Sequence, residues 1–211
     1  MKLVTRSLIT LGSLVILSGC STLSEQECVN ADWYLIGLED GSRGYSVSRI
    51  GSHREACAKY SVVPNIESYR SGLSEGYKTY CAEANGYNTG LTGATYQNVC
   101  SGQGADKFVQ AYQHGRDLYR LRQALASLDQ QISDSQNTIE QLNEDSALYE
   151  EQLIHHASAP SERQKLLNAI KDNEQEAATL AESMVYSERE RAVLAQDLAD
   201  MEAYHRQLGY Q

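Results

Sequence analysis

The sequence of 211 residues lacks several features that define common functional classes. It contains two prolines, one tryptophan, one phenylalanine and no run of lysine or arginine. Acidic residues outnumber basic ones by 28 to 18, which gives a formal net charge of −10. Because a polyanion-binding surface needs a local cluster of cations, this composition excludes nucleic acid from the predicted partners.

Motifs of the common enzyme classes are also missing. There is no Gly-x-Ser-x-Gly elbow, no His-Glu-x-x-His helix and no phosphate-binding loop. The polar candidates for chemistry in the first half of the chain are Glu39, Asp40, His53 and Glu55. The adjacent His155 and His156 would point in different directions on a helix, which disfavours a metal site. The sequence therefore predicts a protein that is not an enzyme and that holds neither metal nor cofactor.

The N-terminus contains no apolar run long enough to span a membrane comfortably. Lys2 and Arg6 precede the apolar stretch from Leu8 to Leu17, whose length and charged start are typical of a signal peptide. The stretch ends in Leu17-Ser18-Gly19-Cys20, which resembles the lipobox of bacterial lipoproteins. An ordinary secretory signal that ends near a cysteine is the alternative.

The lipobox resemblance implies cleavage between Gly19 and Cys20 and a covalent lipid on Cys20. Loss of Lys2 and Arg6 with the signal would lower the formal net charge from −10 to −12. Several acyl chains would hold the protein on a membrane almost permanently. Ser21 after the cysteine implies the outer membrane, with the protein facing the periplasm.

Four cysteines remain once Cys20 is assigned to lipid. An even number in an oxidising compartment predicts two disulfides, and sequential pairing is preferred among the three connectivities that four cysteines allow. A zinc site is disfavoured because no Cys-x-x-Cys pair occurs. A nucleophilic cysteine beside His53 or His114 is disfavoured because a paired cysteine has no free thiolate. The four candidates are Cys28, Cys57, Cys81 and Cys100.

The composition changes near residue 105 and predicts two structural parts. Glycine and tyrosine are frequent before this point, whereas after Gly115 only Gly209 remains and Leu, Ala, Gln and Glu dominate, as in long helices. The predicted organisation is a signal peptide (1–19), a lipidated tether (20–27), a head (28–105) and a helical tail (106–211).

The tail carries apolar residues at alternating steps of three and four, the period of a helix that packs against one partner helix. The first series runs from Leu118 to Leu153 with Ser135 and Ser146 as polar members, and the second runs from Leu166 to Leu208. Between them, Pro160 fits only the first turn of a new helix, so a turn near 155–161 and an antiparallel hairpin of about 70 Å are predicted. One continuous helix in an intermolecular coiled coil is the alternative.

The head is predicted to consist of short helices and loops. Ser52 to Glu55 forms a capping-box pattern, and a second helix is predicted after Pro64 and Asn65. Tyr69, Gly72, Gly76 and Tyr80 fall on one helical face, where glycines indicate close backbone packing. A glycine-rich β-hairpin over 86–104, opened by Asn85-Gly86, is the alternative for the end of the head.

A tyrosine three residues before a glycine recurs through the head and at the start of the tail. It occurs at Tyr34, Tyr69, Tyr87 and Tyr112. These tyrosines are predicted to pack over glycines in a core that is poor in aliphatic side chains. The alternative is an aromatic platform for an envelope glycan such as peptidoglycan. Its candidate residues are Trp33, Tyr34, Tyr69, Tyr80, Tyr87 and Tyr96.

These motifs together resemble a bacterial lipoprotein family known only as domain of unknown function family 2799. The residues that carry the resemblance are Trp33-Tyr34-x-x-Gly37-x-x-Asp40-Gly41-x-x-Gly44, the segment around His53 and Cys57, Tyr69 to Cys81, Asn85 to Gly93, Tyr96-x-x-x-Cys100 and Tyr112-x-x-Gly115. The resemblance covers about residues 28 to 120. It implies a lipoprotein facing the periplasm and supplies no catalytic residues.

The combined expectation is a mainly α-helical protein with a small disulfide-bonded head and a long antiparallel helical hairpin. Its predicted function is that of a non-catalytic structural or interaction protein of the cell envelope. The lipid would bind the membrane, and the hairpin would contact another envelope protein. The alternative function is binding of peptidoglycan by the head.

Overall fold

A computed structural model describes residues 22–155 and 159–210, and this part of the chain contains seven helices and no strand. The helices are α1 (Glu25–Val29), α2 (Trp33–Ser42), α3 (Arg49–Ala58), α4 (Ile66–Tyr80), α5 (Glu83–Leu91), α6 (Ala105–His155) and α7 (Pro160–Gln207). The predicted signal peptide, Cys20 and the middle of the predicted turn, including His156, lie outside the described residues. None of the described helices has the length and apolarity needed to cross a membrane.

The chain divides into two compact units, and the division falls within α4. The N-terminal unit ends at Gly76 and the C-terminal unit begins at Tyr77. Helix α5 packs closely on the first part of α6, so residues 77–105 of the predicted head lie in the same compact unit as the hairpin.

Disulfides and helix caps fix the first helices of the N-terminal unit. Ser24 and Glu27 form a capping box at the start of α1, and the carboxylate of Asp32 accepts hydrogen bonds from two backbone N–H groups at the start of α2. The disulfide Cys28–Cys57 joins α1 to α3. The predicted capping box at Ser52 is wrong: α3 begins one turn earlier, at Arg49, so Ser52 lies inside the helix.

Helices α2 and α4 touch through glycines. A Cβ atom on Gly37 would overlap the carbonyl oxygen of Tyr69, and one on Gly41 would overlap that of Leu73. The contacts are reciprocal, because Gly72 and Gly76 face carbonyl oxygens of α2 in the same way. Contacts run in the same order along both helices, so the two helices are parallel, and only glycine permits this approach.

The C-terminal unit repeats this arrangement in α5 and α6. Gly86 faces the carbonyl of Phe108, Gly90 faces that of Tyr112, and Gly115 faces that of Tyr87. The alternative of a β-hairpin over 86–104 is therefore wrong, because Gly86 and Gly90 lie in α5 against α6. The disulfide Cys81–Cys100 closes a loop that contains α5 and ends before α6. Both disulfides follow the sequential pairing.

The two helix pairs also end alike. Gly37-x-x-x-Gly41-x-x-Gly44 corresponds to Gly86-x-x-x-Gly90-x-x-Gly93, and the last glycine has φ of 76° in the first motif and 75° in the second. In each motif the N–H of this last glycine donates to the carbonyl of the middle one, at 3.0 and 2.9 Å. The two units are therefore built on the same helix-pair motif.

Helices α6 and α7 form the predicted antiparallel hairpin within the C-terminal unit. Every residue of the first predicted series is at least half-buried, and in the second series only Arg191 and Leu208 are exposed. We call the contact line between the two apolar series the seam. Asn173, a polar residue of the seam, donates hydrogen bonds to the carbonyl of Leu142 (3.3 Å) and the hydroxyl of Ser146 (3.2 Å), which fixes the register of the two helices.

Candidate functional site

A buried cluster around Asp40 is the strongest concentration of titratable groups in the N-terminal unit. Asp40 is 5% exposed and His53 is 2% exposed. One carboxylate oxygen, Oδ1, accepts from Nε of Arg49 at 2.9 Å. The other, Oδ2, lies 2.7 Å from Nε2 of His53 and accepts from the Tyr69 hydroxyl at 2.7 Å. The cluster therefore joins three helices at one carboxylate.

Local sequence explains how these side chains meet. Asp40 precedes Gly41 on α2, and the glycine contacts bring α4, with Tyr69, close to this helix. Arg49 and His53 are four residues apart on α3 and thus share one face. The second ring nitrogen of His53, Nδ1, lies 3.0 Å from the hydroxyl of Thr22, just before α1.

The electrostatic balance of the cluster keeps Asp40 ionised. Burial by itself raises the pKa of Asp40. Hydrogen bonds from His53 and Tyr69 and the nearby charges of His53 and Arg49 lower it, and together they hold the pKa below its ordinary value of 3.8. Asp40 is thus a buried carboxylate with one protein partner on Oδ1 and two on Oδ2.

A cleft of about 780 Å³ opens beside the cluster, lined in part by Thr22, Asp40, Arg49 and His53. The hydroxyl, imidazole and carboxylate follow the order of a Ser-His-Asp hydrolase triad, but the ring nitrogens are exchanged: Nδ1 of His53 faces the hydroxyl and Nε2 faces the carboxylate. Other charged groups at the cleft are already paired: Glu39 binds Arg43 at 2.6 Å, and Asp32 and Glu27 cap helices. The described residues contain no group of three or more side chains that could hold a metal ion.

The C-terminal unit shows that the glycine-packed helix pair does not require this cluster. The position before the second glycine of the motif is Asp40 in α2 and Thr89 in α5. The residue whose carbonyl faces the first glycine is Tyr69 in α4 and Phe108 in α6. The same packing is therefore achieved once with a buried charged network and once without it.

Most of the predicted glycan-platform residues are buried. Trp33, Tyr69, Tyr80 and Tyr87 are at most 8% exposed, whereas Tyr34 is 37% exposed. Tyr96 is half-buried, and its ring packs against Phe108 and Tyr112. These side chains form core contacts and are not gathered on one exposed surface. Of the four polar candidates, Asp40 and His53 meet in the cluster, Glu39 pairs with Arg43, and Glu55 is exposed.

A second buried cluster lies at the base of the hairpin and was not predicted. His205 is 3% exposed, and the Tyr87 hydroxyl lies 3.2 Å from its Nδ1. The ring centroid of His114 lies 5.3 Å from that of His205, and Tyr210 stacks on Tyr87 at 4.4 Å. Burial, with a smaller contribution from His114, lowers the pKa of His205. In the sequence, His205 is only a polar residue within the second apolar series, which runs from Leu166 to Leu208.

Helices, two disulfides and glycine-packed helix pairs define a disulfide-bonded all-α protein. Residues 32–117 match the model of a family described as protein of unknown function (DUF2799), so this segment of the chain is similar to that family. The family resemblance in the sequence is confirmed. No curated protein and no solved structure matches the chain.

Proposed function

We propose that the chain is a lipid-anchored, non-catalytic protein of the cell envelope that binds another envelope protein through the α6–α7 hairpin. The observation that carries this proposal is the hairpin itself, in which helices of 51 and 48 residues hold one another in register. Large apolar side chains point away from the seam: Ile154 is 76% exposed and Tyr186 is 62% exposed. Such side chains suit a protein contact.

The N-terminal unit supports a non-catalytic role. The Asp40 carboxylate is engaged by Arg49, His53 and Tyr69, and these contacts join α2, α3 and α4 in a way that stabilises the unit. We therefore assign the cluster a structural role. The burial of the predicted platform residues gives no support to the peptidoglycan alternative, and sedimentation of the full chain with purified peptidoglycan would test it.

Anchoring is tested by Cys20→Ser. We expect the wild-type chain in the membrane fraction with a diacylglyceryl mass increment, and the variant in the soluble fraction without it. Membrane retention of the variant would contradict the anchor.

Partner binding is tested by a photo-crosslinking amino acid at Tyr186 in the full chain. Val63, which is 79% exposed in the N-terminal unit, is the matched control position. We expect a discrete adduct from position 186 that is absent from position 63. Crosslinking from neither position, or equal adducts from both, would contradict a partner surface on the hairpin.

A further inference from the structure

The hairpin leaves its apolar seam incompletely covered. Among the seam residues from Leu121 to Met201, only Leu128 and Ile170 are buried, at 8% and 9% exposure, while residues such as Ile139 and Met184 remain half-buried. Two helices cover only part of each other's apolar stripe, and a third helix in the groove between them would cover more.

A groove of about 620 Å³ lies where this seam is open. Ile139 and Met184 come from opposite helices, and Ala147 offers too little side chain to fill the space beside them. Glu140 and Glu144 line the same groove and lie one helical turn apart. The groove extends from residue 136 to residue 147 of α6, about 16 Å or three turns.

The charged side chains that line this groove, Glu140 and Glu144, are both negative. From Gln123 to His155, α6 carries seven carboxylates and no lysine or arginine. Within the part of the chain that the structure describes, the ion pair of this stretch is that of Asp129 with Arg191, outside the groove. Glu140 and Glu144 therefore present uncompensated negative charge beside the apolar side chains that line the groove.

From these observations we propose that the groove lined by Ile139, Met184, Glu140 and Glu144 binds a cationic amphipathic helix of a partner protein. Leucine-like side chains of that helix would pack on Ile139 and Met184, and lysines or arginines spaced one turn apart would pair with Glu140 and Glu144. A second copy of this chain is disfavoured because it would bring two rows of carboxylates together. This inference rests on the proposed function and specifies its partner surface.

Binding can be measured by titrating the full chain with a synthetic helical peptide of about three heptads that has leucine at the seam positions and lysine elsewhere. A second peptide has glutamate in place of every lysine. We expect the lysine peptide to bind with an affinity that falls as salt is added, and the glutamate peptide not to bind. Equal binding of the two peptides would overturn the proposal.

The groove is tested directly by the double substitution E140K/E144K. The matched control is D134K/E151K, which changes the charge of the same helix equally at exposed positions that do not line the groove. We expect affinity for the lysine peptide to fall by about tenfold or more in the first variant and less than about threefold in the control. An equal loss in both variants would show general attraction to an acidic protein and overturn the proposal.

Folding of each variant is checked by its circular dichroism melt, and E140Q/E144Q, which removes charge without reversing it, replaces E140K/E144K if that variant unfolds. A Tyr186 adduct that persists unchanged in E140K/E144K would overturn this groove but leave the proposed function standing. Groove-specific peptide binding without any Tyr186 adduct in the wild type would contradict the proposed function instead.

Discussion

Asp40 shows how much one residue can organise in a small helical unit. Its carboxylate is buried, yet each of its oxygens accepts at least one hydrogen bond from a neighbouring helix. A buried charge is tolerated only when it is paired and hydrogen-bonded in this way. Removal of one donor therefore weakens the unit without changing its apolar packing.

We expect Tyr69→Phe to lower the free energy of unfolding by about 1.5–3 kcal/mol, because it removes a hydrogen bond to an ionised group. The ring should keep its place, since Phe108 occupies the equivalent position in the C-terminal unit. Urea unfolding monitored by circular dichroism measures the change. Tyr34→Phe, at an exposed tyrosine, is the control, and equal stability of both variants and wild type would contradict the role of the hydroxyl.

His205 predicts a pH dependence of stability. Because burial lowers its pKa in the folded state below the ordinary value of 6.5, the unfolded chain binds the proton more readily. The stability that depends on neutral His205 is fully present above about pH 6.5 and is lost as the pH falls through the lower, folded pKa. His114, Asp117, Glu202 and the hydroxyl of Tyr87 face this group and set the size of the effect.

His205→Gln tests this expectation, since the glutamine oxygen can still accept from Tyr87. Melting temperatures between about pH 7.5 and pH 5.5 should fall in the wild type and fall less in the variant. His155→Gln, at the exposed end of α6, controls for the loss of any histidine. Parallel pH curves for wild type and H205Q would show that His205 does not titrate in this range.

The residue scale is also where the sequence was least informative. Asp40 and His53 stood out as polar candidates, but 13 residues and a loop separate them. Thr22 and Tyr69 lie further away, and their hydrogen bonds depend on how α1, α3 and α4 pack. Local patterns do not contain that packing, so the cluster could not be assembled from the sequence.

At the scale of the helices, the spacing of apolar residues and the positions of glycines decide which elements form and how closely they pack. The hairpin was predictable because its apolar residues repeat without a slip and Pro160 marks the start of α7. The glycine face of α4 correctly indicated close packing. Asn85-Gly86 suggested a β-turn, but the glycine is needed here for a different reason. Gly86 lies in α5, where its lack of a side chain permits close contact with Phe108.

A pair of glycine substitutions tests the packing of α2 on α4. Gly37→Ala places a Cβ against the backbone of Tyr69 and should cost about 1–3 kcal/mol or more of unfolding free energy. Gly51→Ala, in α3, meets nothing within 4 Å and should stabilise by about 0.5–1 kcal/mol through helix propensity. Denaturant unfolding compares the two, and a neutral Gly37→Ala would contradict the close helix contact.

On the scale of the whole molecule, covalent links and helix contacts are unevenly distributed along the chain. The disulfides Cys28–Cys57 and Cys81–Cys100 span 29 and 19 residues, one in each compact unit. Helices α6 and α7 contain no cysteine and depend on their seam alone.

Replacement of either cysteine pair by serine should lower the free energy of unfolding by about 3–4 kcal/mol. Without the disulfide, the unfolded chain gains the conformational entropy that a closed loop of this length lacks. The two losses should be similar, since the dependence on loop length is logarithmic. Chemical unfolding of C28S/C57S and C81S/C100S, with or without reductant, measures them. A loss below about 1 kcal/mol would show that packing alone maintains that unit.

The absence of cysteine from the hairpin has a practical consequence. Helix α7 contains no cysteine and follows α6 through the chain around residues 156–159. Contacts between the two helices do not depend on that connection: Asn173, for example, specifies the alignment through Leu142 and Ser146. We therefore expect that a chain divided between α6 and α7 yields two fragments that recognise each other, with α7 acting as the reassembling half of a split protein.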